Sequence, residues 1–386
     1  MKKIFKLNKK FIDHLNFYLS NSVSPVRQNI KNLKNHFQRR ENLYNKLSLS
    51  PMLISKSRIL EVAPGSGFNS LYTMSKNPIY YELVEPNDTA CKDIKNLLFS
   101  KQPKNIKLNK TKIQDFKPVI KYDVILCECW IGSINEEVKI LNSFQNIINE
   151  NGIIVITFQP AIGMLANTLR KIISFKLTKR NENIEIKTKK LNYAFSGHLK
   201  KLKHMSRLKR DWIIDVLINP ATLGSYLAPE TIFNSLDKCE PLSVYPYVED
   251  GWRWYKSLIK KDKKKLFIKD FYSNYLNFLD SSMKLKKIDH KTGLSIDNEL
   301  FKFYNKVLEY ENSHISFNQV SRLILNDLKK FNVSMKKFHV QPVRQLIEET
   351  INILEQKTIT PSKVNKLKYL SNVFGRELCY LSLKKI

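Results

Sequence analysis

Two glycines and four acids stand at spacings that suit ligand binding. The segment Glu61-Val62-Ala63-Pro64-Gly65-Ser66-Gly67 closes a short apolar run, Arg58-Ile59-Leu60, and opens into a predicted helix, 70–76. Glycines in a strand-to-helix turn accept positive φ and let a ligand approach the backbone closely. A dinucleotide fingerprint needs a third glycine three residues after the second, and Ser70 stands there. Glu61 also precedes the glycines, where it would repel a pyrophosphate and attract a cation. A second acid, Glu85, stands toward the end of the next predicted strand, 80–87, where a carboxylate accepts hydrogen bonds from ribose hydroxyls. Asp115 follows a third predicted strand near 106–108, and could accept a bond from an adenine amine. Glu128 ends a fourth, read over 122–130.

These acids need a scaffold that brings strand ends together. Short apolar runs alternate with helical stretches, 88–99 and 136–152, and a fifth run, 153–158, follows. That alternation predicts a parallel sheet in an open α/β fold, with ligands at the carboxyl ends of its strands. A late strand is expected at 241–248, and the chain beyond residue 259 reads as helices to its end.

At these positions the chain resembles the class I S-adenosylmethionine-dependent methyltransferases, whose first motif is E/D-x-G-x-G-x-G. Glu61, Ala63, Gly65, Gly67, Glu85 and Asp115 occupy the corresponding positions, with Ala63 in place of the first glycine. The resemblance implies a Rossmann-like sheet and S-adenosylmethionine as cofactor. Its expected organisation is a helical N-terminal cap (1–50), an α/β domain (51–258) with a basic helical insert (161–218), and a helical C-terminal domain (259–386). The segments RRENLY (39–44), SRLKRDW (206–212) and DGWRWYK (250–256) are similar to those of methyltransferases from bacterial surface-polysaccharide biosynthesis clusters, which implies a sugar-linked acceptor.

The candidates for acceptor chemistry are Glu128, His198, Arg207 and Asp211. On one helix Arg207, Asp211 and Asp215 would share a face. An Arg beside carboxylates suits an anionic or polyhydroxylated acceptor, and a His or Asp takes a proton. Trp252, Trp254 and Tyr255 suit stacking on a sugar face. After the fourth strand stands Cys127-Glu128-Cys129-Trp130, without the proline-backed turn of nucleic-acid amine methyltransferases.

Lys and Arg number 66 against 35 Asp and Glu, a net charge of +31, with the excess in the flanks of the α/β segment. Basic flanks attract polyanions, so RNA or DNA methylation, or non-catalytic nucleic-acid binding, is the alternative. The same surplus, mostly lysine beside much Asn and Ile, also fits a bias in gene composition. No run of about eighteen apolar residues is present. The five cysteines lack disulfide or zinc spacing, so a cytoplasmic protein without a metal site is expected.

Overall fold

The computed structural model describes residues 14–21, 28, 30–100, 103–128, 137–202, 205–223, 227–248, 254–257 and 262–386. They fall into two compact units. One comprises Leu15–Phe158, Leu227–Phe271 and Leu378–Ile386; the other comprises Gln159–Tyr226 and Tyr272–Glu377, with the chain up to His14.

The first unit holds a seven-stranded sheet: β1 (Arg58–Val62), β2 (Tyr80–Val84), β3 (Ile106–Asn109), β4 (Tyr122–Cys127), β5 (Ile148–Phe158), β6 (Cys239–Tyr245) and β7 (Cys379–Lys385). Their order is β3-β2-β1-β4-β5-β7-β6. β1 to β5 pair in parallel, and β7 runs antiparallel to both β5 and β6. This is the expected Rossmann-like sheet with flanking helices. Its central strands are buried on both faces: Ile59, Leu60, Leu83, Ile125 and Val155 are all inaccessible to solvent. The Asp88–Leu98 helix begins where the Asn87 side chain accepts the Ala90 N–H, 3.0 Å, and buries Ala90, Cys91, Ile94 and Leu98. Strands added after β1 build outward through β2 to β3. β4 returns to the other side of β1, so the order reverses between β1 and β4. A crevice at the carboxyl ends of strands opens at such a reversal.

Three features differ from the sequence reading. The final strand, β7, lies in a region read as helical; it supplies the strand between β5 and β6. The 136–152 helix stops at Ile147, and β5 begins at Ile148, because Ile148 already pairs with Tyr122. The basic insert belongs with the C-terminal helices in the second unit.

In that second unit the Leu165–Leu177 helix is buried on nearly every side, Leu165 to Phe175 without a break. The helices His290–Glu311, Phe317–Lys336 and Gln341–Glu355 belong to the same unit. Two of the buried side chains are cations, and each is compensated. Lys171 Nζ meets Glu311 Oε1 at 2.8 Å and the Asn219 carbonyl at 2.7 Å. Arg170 donates to the Leu370 and Val373 carbonyls at 2.6 and 2.7 Å, and to Asn167 Oδ1 at 2.8 Å. A buried charge is tolerated only with such partners.

Candidate cofactor crevice

The turn after β1 is built by backbone conformations that favour glycine. Ala63, Gly65 and Gly67 have φ of 53°, 59° and 77°. The first is an L residue in the left-handed region, so the missing glycine of the motif coincides with a place where a glycine would be unstrained. The Ala63 N–H still reaches the Val84 carbonyl at 2.9 Å, which ties the turn to the end of β2.

Glu85 organises this turn from the neighbouring strand. Its Oε2 accepts the Gly65 N–H at 3.0 Å and its Oε1 accepts the Asn87 N–H at 2.8 Å. The residue is 3% exposed. Burial pushes its carboxyl up to about 7, the two backbone donors oppose the shift, and Glu61 adds to it. Glu61, at the end of β1, is also buried and accepts the Tyr81 hydroxyl. Burial lifts its carboxyl to about 7, and the charge of Glu128 contributes in the same direction.

The structure therefore brings Glu61, Ala63, Gly65, Gly67 and Glu85 together around one turn. Asp115 lies exposed in the turn after β3, its N–H bonded to the Lys112 carbonyl. Glu128 follows β4, across the strand reversal from the glycine turn.

The Leu33–Lys46 helix holds this edge of the sheet, a role its sequence does not announce. His36, driven toward neutrality by burial, bonds through Nε2 to the Phe68 carbonyl at 2.9 Å. Glu41 pairs with Lys76 at 2.8 Å. Arg40 Nη2 reaches Glu128 Oε1 at 2.6 Å, and the Tyr44 hydroxyl donates to the same oxygen at 2.8 Å. Arg40 also donates to that hydroxyl, at 2.6 Å, with its guanidinium 4.5 Å from the Tyr44 ring centroid. RRENLY (39–44) contained Arg40, Glu41 and Tyr44, but nothing in its spacing says which side chains turn toward β4.

The remaining candidates lie in the second unit. His198 is fully buried; its Nε2 bonds to the Val364 carbonyl at 2.9 Å and its Nδ1 lies 3.4 Å from Arg170 Nε. Burial and the Arg170 charge drive its pKa down to about 3, so it is a neutral packing histidine with both nitrogens engaged, in place of the expected proton acceptor. Arg207 precedes the helix that begins at Lys209, so the expected three-residue face shortens to Asp211 and Asp215; Arg207 pairs with Asp215. Asp211 is buried at the start of that helix, its Oδ1 3.7 Å from Arg210. Trp254 and Tyr255 are exposed in the sheet unit, with ring centroids 5.1 Å apart. Cys129, Trp130 and Trp252 lie outside the described residues. No group of His, Cys, Asp and Glu suited to a metal occurs among the described residues, and no described helix is long and apolar enough to cross a membrane.

No family model and no curated protein matches the chain. Solved structures do. The N-methyltransferase NodS from Bradyrhizobium japonicum, in complex with S-adenosylhomocysteine, is 13% identical with a TM-score of 0.30, over 37% of this chain and 74% of that one. An S-adenosylmethionine-dependent methyltransferase from Mesorhizobium loti is 12% identical with a TM-score of 0.26, over 29% of this chain and 50% of that one. The N-terminal domain of EvdMO1 with bound S-adenosylhomocysteine is 13% identical with a TM-score of 0.27, over 32% and 50%. The chain thus spans half the length of two of these structures, and the likeness is one of fold.

Proposed function

We propose that the protein is an S-adenosylmethionine-dependent methyltransferase acting on a small-molecule or glycan-type acceptor. The observation that carries this reading is the buried Glu85, bound to the Gly65 and Asn87 N–H groups at 3.0 and 2.8 Å beside a second buried acid, Glu61. A carboxylate has about four lone-pair sites, so Glu85 keeps acceptor capacity for two ribose hydroxyls. A turn flanked by acids repels a pyrophosphate and accommodates a ligand with a sulfonium and an ammonium group. Glu85 would hold the ribose, the backbone of 63–67 would lie against the amino-acid portion with Glu61 beneath it, and Asp115 would take the adenine amine. When bound there, S-adenosylmethionine would supply an electrophilic methyl group to a lone pair of the acceptor held in line with it.

Incubation of the purified protein with methyl-labelled S-adenosylmethionine and fractionated bacterial extracts tests the reading. Label should enter a small-molecule or polysaccharide fraction. Label confined to nucleic acid would overturn the acceptor class, and absence of label from every fraction would overturn the activity.

A further inference from the structure

Resting on that cofactor reading, we infer that Arg40, Tyr44 and Glu128 form the acceptor-recognition element of the crevice, and that the group Glu128 receives is an amine. Glu128 stands just after β4, where the strand order reverses, and its side chain is only 9% exposed. One carboxylate oxygen is saturated: Oε1 takes both the Arg40 guanidinium at 2.6 Å and the Tyr44 hydroxyl at 2.8 Å. The other, Oε2, is buried, and no donor among the described residues reaches it. A buried carboxylate oxygen without a donor costs stability unless something else completes it, so the arrangement is finished by an N–H or O–H from a ligand.

Two further features select the amine. Burial holds Tyr44 as a phenol and the Glu128 ion pair holds Arg40 charged, so both remain donors and the carboxylate is fixed with one oxygen turned from them. The oxygen turned from them, Oε2, is an acceptor only. A neutral primary amine offers this oxygen an N–H while its lone pair faces the methyl, and it still holds an N–H after the transfer, whereas a hydroxyl gives up its only hydrogen. Arg40 and Tyr44 act here as positioning residues, and Glu128 is the group that touches the acceptor.

Two cofactor analogues test this without knowledge of the acceptor. Sinefungin carries an amine at the position of the transferred methyl, and S-adenosylhomocysteine carries nothing there. Titration calorimetry on the full chain should give sinefungin the lower Kd by about tenfold or more, the effect of one hydrogen bond to a charged group. Glu128→Gln keeps the shape but turns the ligand-facing oxygen into a donor, and should abolish that preference. If this variant fails to fold, Tyr44→Phe, which keeps the ring and the Arg40 pair, should give an intermediate preference. Equal binding of the two analogues to the wild-type protein overturns the inference and leaves the cofactor reading standing. So does a preference that Glu128→Gln and Tyr44→Phe leave unchanged. If neither analogue binds, the cofactor reading falls and the inference with it.

Discussion

Glu85 is the residue on which the turn geometry and the proposed ribose contact meet. Each of its oxygens already holds one backbone N–H, from Gly65 and from Asn87. Glu85→Ala should therefore weaken S-adenosylhomocysteine binding by about 1.5–3 kcal/mol, the range for hydrogen bonds to a charged group. Calorimetry on the folded variant checks this, and unchanged affinity would remove Glu85 from the ribose. The same carboxyl sets a pH dependence. Its folded value of about 7 lies above the ordinary 4.5, so its contribution to stability is fully present below pH 4.5 and is lost as pH rises through 7. Glu85→Gln should flatten the decline in unfolding free energy between pH 5 and pH 8, by an amount on the order of 2 kcal/mol, as followed by denaturant unfolding at each pH. A parallel decline in wild type and variant would show that Glu85 ionises normally.

The strand-turn-helix element was largely legible, because its signals are local. The apolar runs of β1 and β2, the glycine pair and the acids after them need no distant partner to be read. Ala63 stands where the motif has its first glycine, and its φ of 53° places it in the left-handed region. Ala63→Gly should raise stability by about 1 kcal/mol, the left-handed penalty of an L residue less the entropy of the added glycine. Gly67→Ala should do the reverse, by about 1–2 kcal/mol or more. Its φ is 77°, and a Cβ there would lie 2.9 Å from Ile94 Cγ1. Denaturant unfolding of the two variants gives both signs. The Leu33–Lys46 helix was legible as a helix but not as a lock on the crevice. Periodicity marks an apolar face, whereas Arg40 and His36 are buried by bonds to Glu128 and Phe68, far away in sequence.

For the molecule as a whole, legibility ended where partners are remote. β7 pairs with β5 and β6, more than two hundred and more than one hundred and thirty residues earlier by their paired positions. Its alternation of buried Cys379, Leu381 and Leu383 was visible, but it sat behind a long helical stretch. The insert at 161–218 read as a basic surface because its charges were counted and their partners could not be. Lys171 is buried against Glu311, so Lys171→Met should cost about 3–5 kcal/mol by leaving that carboxylate unpaired. Chemical denaturation would measure the cost, and a neutral outcome would show that Glu311 is protonated and needs no cation. The central claim, that the crevice of the sheet unit binds the methyl donor, is tested most directly by titrating the purified 386-residue chain with S-adenosylhomocysteine in a calorimeter. Saturable binding of one molecule per chain, weakened by Glu85→Ala, is the predicted result. No heat and no thermal shift at millimolar ligand would contradict it.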